Sequence, residues 1–146
     1  MRELPRQLTA EELAELFEGR TRLVERLATL EDPLGRAEDV LRELPEEEQI
    51  EALRAHPPIG ARHVSARSAT EQGSDADPTI LSELAYLNQV YEEKFGFRFV
   101  VFVNRRPKAE ILEVLRERLA RSREEELDTG VRELVAIARD RWTRTT

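Results

Sequence analysis

The sequence contains no cysteine, a single methionine and only two histidines. Disulfides, thiolate nucleophiles and sulfur-ligated zinc or iron-sulfur centres are thereby excluded. His56 and His63 are the sole imidazoles, and neither belongs to a His-x-x-x-His or His-Glu-x-x-His spacing, so no metal is expected. No glycine-rich loop followed by Lys and Ser or Thr is present to cradle phosphates, which leaves nucleotide binding without support. Lysine is nearly missing too. Of the 23 basic residues only Lys94 and Lys108 are lysine, and the arginines that replace it offer rigid forked donors suited to carboxylates. No apolar run approaches the length of a signal peptide or a membrane span, so a cytoplasmic location is the expectation.

What is present points to one helical domain. The chain has 146 residues, 40% of them apolar, enough for a proper core, and a single domain over 1–146 is expected. Thirty acidic residues give a net charge of -7, which repels nucleic acid and anionic membranes, so neither is expected as a partner.

Local signals divide the chain into short helices. Thr9-Ala10-Glu11-Glu12 is a capping-box pattern with Leu8 and Leu13 placed as a hydrophobic staple, opening a helix that Gly19 would end. Leu23, Val24, Leu27 and Leu30 mark a second helix before Asp32-Pro33, and a third runs from Leu34 to Leu44. Pro45 suits the first turn of a fourth, which must finish near Ala55 or His56 because Pro57-Pro58 removes two donors. Gly60 to Pro78 reads as irregular, with one short helix around Ser68 to Gln72. Asp77 caps a fifth helix with Ile80, Leu81, Leu84, Leu87, Val90 and Tyr91 on its apolar face, ending at Phe95-Gly96. Pro107 to Ala120 forms a sixth, and Ser122-Arg123-Glu124-Glu125 is a second capping box that starts a seventh. Phe97 to Val103 is the one convincing extended stretch, and it has no partner strand. The fold class is therefore all-α: an irregular or orthogonal bundle of about seven to eight short helices with one extended Phe-rich segment.

Among polar residues His56 carries the most information, because imidazole transfers protons in either direction near neutrality. At a helix C-terminus it could equally be an ordinary cap, and there the helix end would favour the imidazolium. Ser68, Glu71 and Gln72 share one side of a helical turn and together offer a hydroxyl, a carboxylate and an amide able to hold a ureido group; capping and surface polarity explain them as well. Arg139 and Arg141 suit the end of the last helix electrostatically, yet either one turned inward would clamp an anion.

Several of these residues belong to a larger pattern. His56-Pro57-Pro58-Ile59-Gly60, Ser68-x-x-Glu71-Gln72 and Leu87-Asn88-x-x-Tyr91-x-x-Lys94-Phe95-Gly96-Phe97-x-Phe99-Val100, followed by Glu110-Ile111-Leu112 and Arg139-x-Arg141, resemble the 2-oxo-4-hydroxy-4-carboxy-5-ureidoimidazoline (OHCU) decarboxylase family of urate breakdown. The resemblance implies a cofactor-free helical enzyme, commonly a homodimer, that yields (S)-allantoin from the product of 5-hydroxyisourate hydrolysis. A hydroxyisourate hydrolase is the implied pathway neighbour. It further implies catalytic roles for His56, Glu71 and Arg141. Pro57, the turn of Ser68, Ala69, Thr70 and Gln72, and the backbone of Phe99, Val100, Val101, Phe102 and Val103 become the substrate walls. Gly73-Ser74-Asp75-Ala76-Asp77 and Asn104-Arg105-Arg106 depart from the family pattern and point to an altered lid or substrate preference. Two other readings fit the residues: an acidic helical module that binds a protein partner through its leucine faces, and a lyase or hydrolase acting on a related ureide.

Overall fold

A computed structural model describes residues 7–59 and 77–144 of the chain. Seven helices are found there: α1 (Ala10–Phe17), α2 (Arg22–Leu27), α3 (Pro33–Glu43), α4 (Glu46–Ala55), α5 (Pro78–Phe95), α6 (Lys108–Leu119) and α7 (Arg123–Arg144). Together with the extended segment they bury one hydrophobic cluster. The long α7 runs through its middle and packs on α1, α3 and α4, while α5 pairs with α6. No strand occurs among the described residues, in keeping with an all-α fold. The helix expected around Ser68 to Gln72 lies outside them.

The caps form as their residue types dictate. Thr9 Oγ1 accepts from the Glu12 amide at 3.1 Å, and Glu12 Oε1 accepts from the Thr9 amide at 3.0 Å. Leu8 and Leu13 on either side are both buried. Ser122 and Glu125 exchange the same pair of bonds ahead of α7, each at 3.1 Å. Asp77 caps α5 through the Thr79 amide at 2.7 Å, and Gly96 ends it in the left-handed conformation at φ 80.

Several boundaries differ from the sequence expectation, among them Pro107 and Ala120, which cap α6 instead of belonging to it. Glu18, not Gly19, takes the left-handed position after α1, with φ 66. Gly19 serves a different need: a Cβ there would come within 3.2 Å of the Ala55 Cβ, so its lack of a side chain lets the end of α1 approach the end of α4. The second helix stops at Leu27 rather than Leu30, because the chain tightens through bonds from Thr29 and Leu30 to the carbonyls of Arg26 and Leu27. Pro45 occupies the cap position before α4 instead of its first turn.

On α5 the buried stripe is Leu84, Asn88, Tyr91 and Phe95, so a polar side chain stands where the apolar face was expected to continue. The extended segment threads the core. Phe97, Phe99, Val100, Val101 and Val103 are all buried, and side chains take over the hydrogen bonding that a partner strand would supply. Arg118 Nη1 donates to the Val100 carbonyl at 2.7 Å, Glu133 accepts from the Phe102 amide at 3.3 Å, and Arg106 donates to the carbonyls of Phe102 and Val103 at 2.6 and 3.1 Å.

Candidate active site

His56 caps the C-terminus of α4 in an extended conformation, its amide donating to the Leu53 carbonyl at 3.2 Å. Pro57 follows directly, so the chain leaves the helix here without a further donor. The close approach of α1 at Gly19 and the packing of α7 on α4 close over this helix end. The His56 residue is 8% exposed as a result, and its Nδ1 is buried with no hydrogen-bond partner among the described residues.

Arg141 reaches the same place from α7 and is 3% exposed. Its Nη1 donates to the Leu16 carbonyl at 3.0 Å and its Nη2 lies 3.1 Å from Glu18 Oε1. The strained left-handed backbone at Glu18 thus delivers a carboxylate that fixes the guanidinium. Arg139, the other candidate, is committed elsewhere. It donates from Nε and Nη2 to the carbonyls of Leu34 and Gly35 at 2.8 and 3.2 Å, where it steadies the start of α3.

The helix end was expected to favour the imidazolium, but burial, reinforced by Arg141 and more weakly by Arg98, pushes the His56 pKa down to about 4 against an opposing influence from Glu18. Loss of hydration outweighs the partial negative charge of a single helix terminus. At neutral pH the ring is an uncharged imidazole, able to accept a proton, held beside a permanent cation.

The surrounding chain fixes this geometry. Arg98 Nη1 donates to the carbonyls of Arg54 and His56 at 2.9 and 3.0 Å, and Asn88 Nδ2 donates to the Ile59 carbonyl at 3.3 Å. Beyond Pro58 and Ile59 opens a groove of about 470 Å³, lined also by Ala85, Asn88, Gln89, Glu92 and Glu93.

The structure therefore brings together His56, Pro57 and Arg141 of the residues singled out from sequence. Phe99 to Val103 start next to this turn, since Arg98 binds the His56 carbonyl, but their side chains are mostly core and several of their backbone groups are already bonded. Glu71, Ser68, Ala69, Thr70, Gln72 and His63 lie outside the described residues. Sequence reasoning passed over Glu18 and Arg98 and gave Asn88, a residue of the quoted motif, no role. A lone arginine in the Phe-Val run and a lone amide on an apolar face were the signals available for the last two; Glu18 gave none. Among the described residues no group of three or more His, Asp or Glu side chains is placed to hold a metal ion, and no helix is long and apolar enough to cross a membrane.

Known proteins share the sequence pattern and the fold of this chain. The family model described as OHCU decarboxylase matches residues 2–143. A 2-oxo-4-hydroxy-4-carboxy-5-ureidoimidazoline decarboxylase from Halalkalicoccus jeotgali is 32% identical over 98 residues, covering 64% of this chain and 56% of that protein. One from Xenopus laevis is 31% identical over 112 residues, covering 70% of this chain and 64% of its own. The chain thus spans less than two thirds of the length of either relative. A crystal structure of OHCU decarboxylase in the presence of (S)-allantoin superposes with a TM-score of 0.76 at 25% identity, over 91% of this chain and 96% of that one.

Proposed function

The chain belongs to the OHCU decarboxylase family, and on that premise we propose that it decarboxylates 2-oxo-4-hydroxy-4-carboxy-5-ureidoimidazoline to (S)-allantoin in urate degradation. The observation that carries this reading is the buried His56 imidazole, its Nδ1 without a partner among the described residues, with the buried guanidinium of Arg141 acting on it.

Loss of carbon dioxide breaks the bond to the carboxylate and leaves its electron pair on the substrate, so the site must stabilise that charge and deliver one proton to one face. Arg141 would meet an anionic oxygen of the substrate. Doing so offsets the guanidinium charge that depresses the imidazole, which raises the proton affinity of His56 as substrate binds. His56 would then take the hydroxyl proton and return it to carbon after carbon dioxide has left, and the product anion that remains takes from water the one proton that decarboxylation consumes. Glu71, with Ser68, Ala69, Thr70 and Gln72, would hold the ureido and ring nitrogens, and Pro57 and the backbone of Phe99 to Val103 would wall the pocket. No cofactor is required by this chemistry. We take the whole of 1–146 as one such domain, acting in the cytoplasm as a homodimer and receiving its substrate from a hydroxyisourate hydrolase.

The rival interaction-module reading needs unpartnered apolar faces. Among the described residues Tyr86, 65% exposed, is the one large hydrophobic side chain that is exposed, so the leucine faces are spent on the core. The decisive assay generates the ureidoimidazoline in situ and follows optical activity. Addition of this protein should yield (S)-allantoin ahead of spontaneous decay, and unchanged accumulation of racemate would refute the proposal.

A further inference from the structure

The turn from His56 to Ile59 is gripped at both ends by side chains from other elements. Asn88 of α5 holds the far end through the Ile59 carbonyl. At the near end Arg98 donates to two carbonyls at the C-terminus of α4, those of Arg54 at 2.9 Å and His56 at 3.0 Å. Such carbonyls have no partner within their helix and carry its partial negative charge, so a guanidinium is well matched to them. Arg98 Nε lies 3.7 Å from Glu92 Oε1 on α5, an ion pair without a hydrogen bond. Because Pro57 stiffens the exit, the His56 carbonyl is the lever by which the end of the helix can pivot, and Arg98 holds that lever.

We propose that Arg98 is a positioning residue: by binding the Arg54 and His56 carbonyls it sets the direction in which the His56 imidazole leaves α4 and enters the site. The catalytic consequence rests on the function proposed above, whereas the effect on the imidazole itself does not. Among the described residues the charged groups acting on the ring are Arg141 from α7, Glu18 from the end of α1 and Arg98 from the extended segment. Of these Arg141 and Arg98 disfavour the imidazolium and Glu18 favours it.

The test combines histidine NMR titration with steady-state kinetics on the full chain and its Arg98→Gln and Arg98→Lys variants, the His56 resonance being assigned by its loss in His56→Gln. In the parent, His56 should titrate near about 4. Arg98→Gln, which keeps a donor without charge, should raise that midpoint. Arg98→Lys, which keeps the charge without the planar fork, should leave it low. Both should lower kcat by about 10- to 100-fold with KM within about twofold, the expected cost of a misplaced catalytic group. A helix cap of purely structural value would lower Tm alone, and parental midpoint and kcat in Arg98→Gln would overturn the proposal. Should Arg98→Gln not fold, parental kcat in Arg98→Lys would overturn it equally. If the parent forms no (S)-allantoin, the functional reading fails while the titration still decides whether Arg98 acts on the imidazole.

Discussion

Two clusters of buried charge in this protein are built on opposite principles. Around Glu126, which is 0% exposed, Oε1 accepts from Tyr91 at 2.7 Å and from Arg118 Nε at 2.6 Å, and Oε2 accepts from Arg121 at 3.0 Å. Arg118 spends Nη1 on the Val100 carbonyl and lays its guanidinium 4.6 Å from the centre of the Phe99 ring. Burial pushes the Tyr91 phenol well above its ordinary range, so it remains a donor. Around His56 the guanidinium is equally well anchored, but the imidazole Nδ1 meets no partner among the described residues. A network whose members are all satisfied locks a core, whereas a buried, perturbed and under-satisfied group is suited to receive a substrate. The first cluster holds α5, α6, α7 and the Phe-rich segment together; the second is where chemistry is expected.

Four perturbations would break or sharpen this contrast. The largest effect belongs to His56→Gln, which should cut kcat for (S)-allantoin formation by about 100- to 10,000-fold, as expected for a lost proton-transfer group. Its urea midpoint should hold or rise. Glu126→Ala should do the reverse. It strands Arg118 in the core and should cost about 3–5 kcal/mol in urea denaturation, with the rate per folded molecule changed little.

Acid sensitivity separates the clusters a third way. The folded pKa of His56, about 4, lies below the ordinary value of 6.5, so the unfolded chain binds a proton first as pH falls. Stability present above pH 6.5 is then lost progressively down to about pH 4, by about 3 kcal/mol in total, and stays lost below. Subtracting the pH profile of His56→Gln from that of the parent should isolate this component, and a flat difference would contradict the neutral imidazole. The smallest effect is expected from Tyr91→Phe. Glu126 keeps both arginines, so the loss of one neutral donor should cost about 1 kcal/mol and leave the kinetics unmoved.

Much of the frame was legible because capping is local chemistry. Thr9 with Glu12, Ser122 with Glu125, and Asp77 before Pro78 each settle a helix start within four residues of chain. His56 at a helix end followed from Pro57-Pro58 in the same way. What was not legible depends on partners remote in sequence. The lowered proton affinity of His56 arises from burial beneath other helices and from Arg141 on α7, whereas the helix end alone pulls the other way. Glu18 enters a left-handed turn because Arg141 awaits its carboxylate, a reason no short window contains. Asn88 stood in a motif without an assigned role, and its bond to the Ile59 carbonyl supplies one. The choice of Arg141 over Arg139 likewise needed the orientation of α7 against α1 and α3.

The most direct measurement is a crystal structure of this chain with (S)-allantoin bound. The account predicts the ligand within hydrogen-bond distance of the His56 imidazole and the Arg141 guanidinium, with the Tyr91, Arg118 and Glu126 cluster unchanged and out of contact. Occupied density for the ligand elsewhere, with His56 still unengaged, would contradict it.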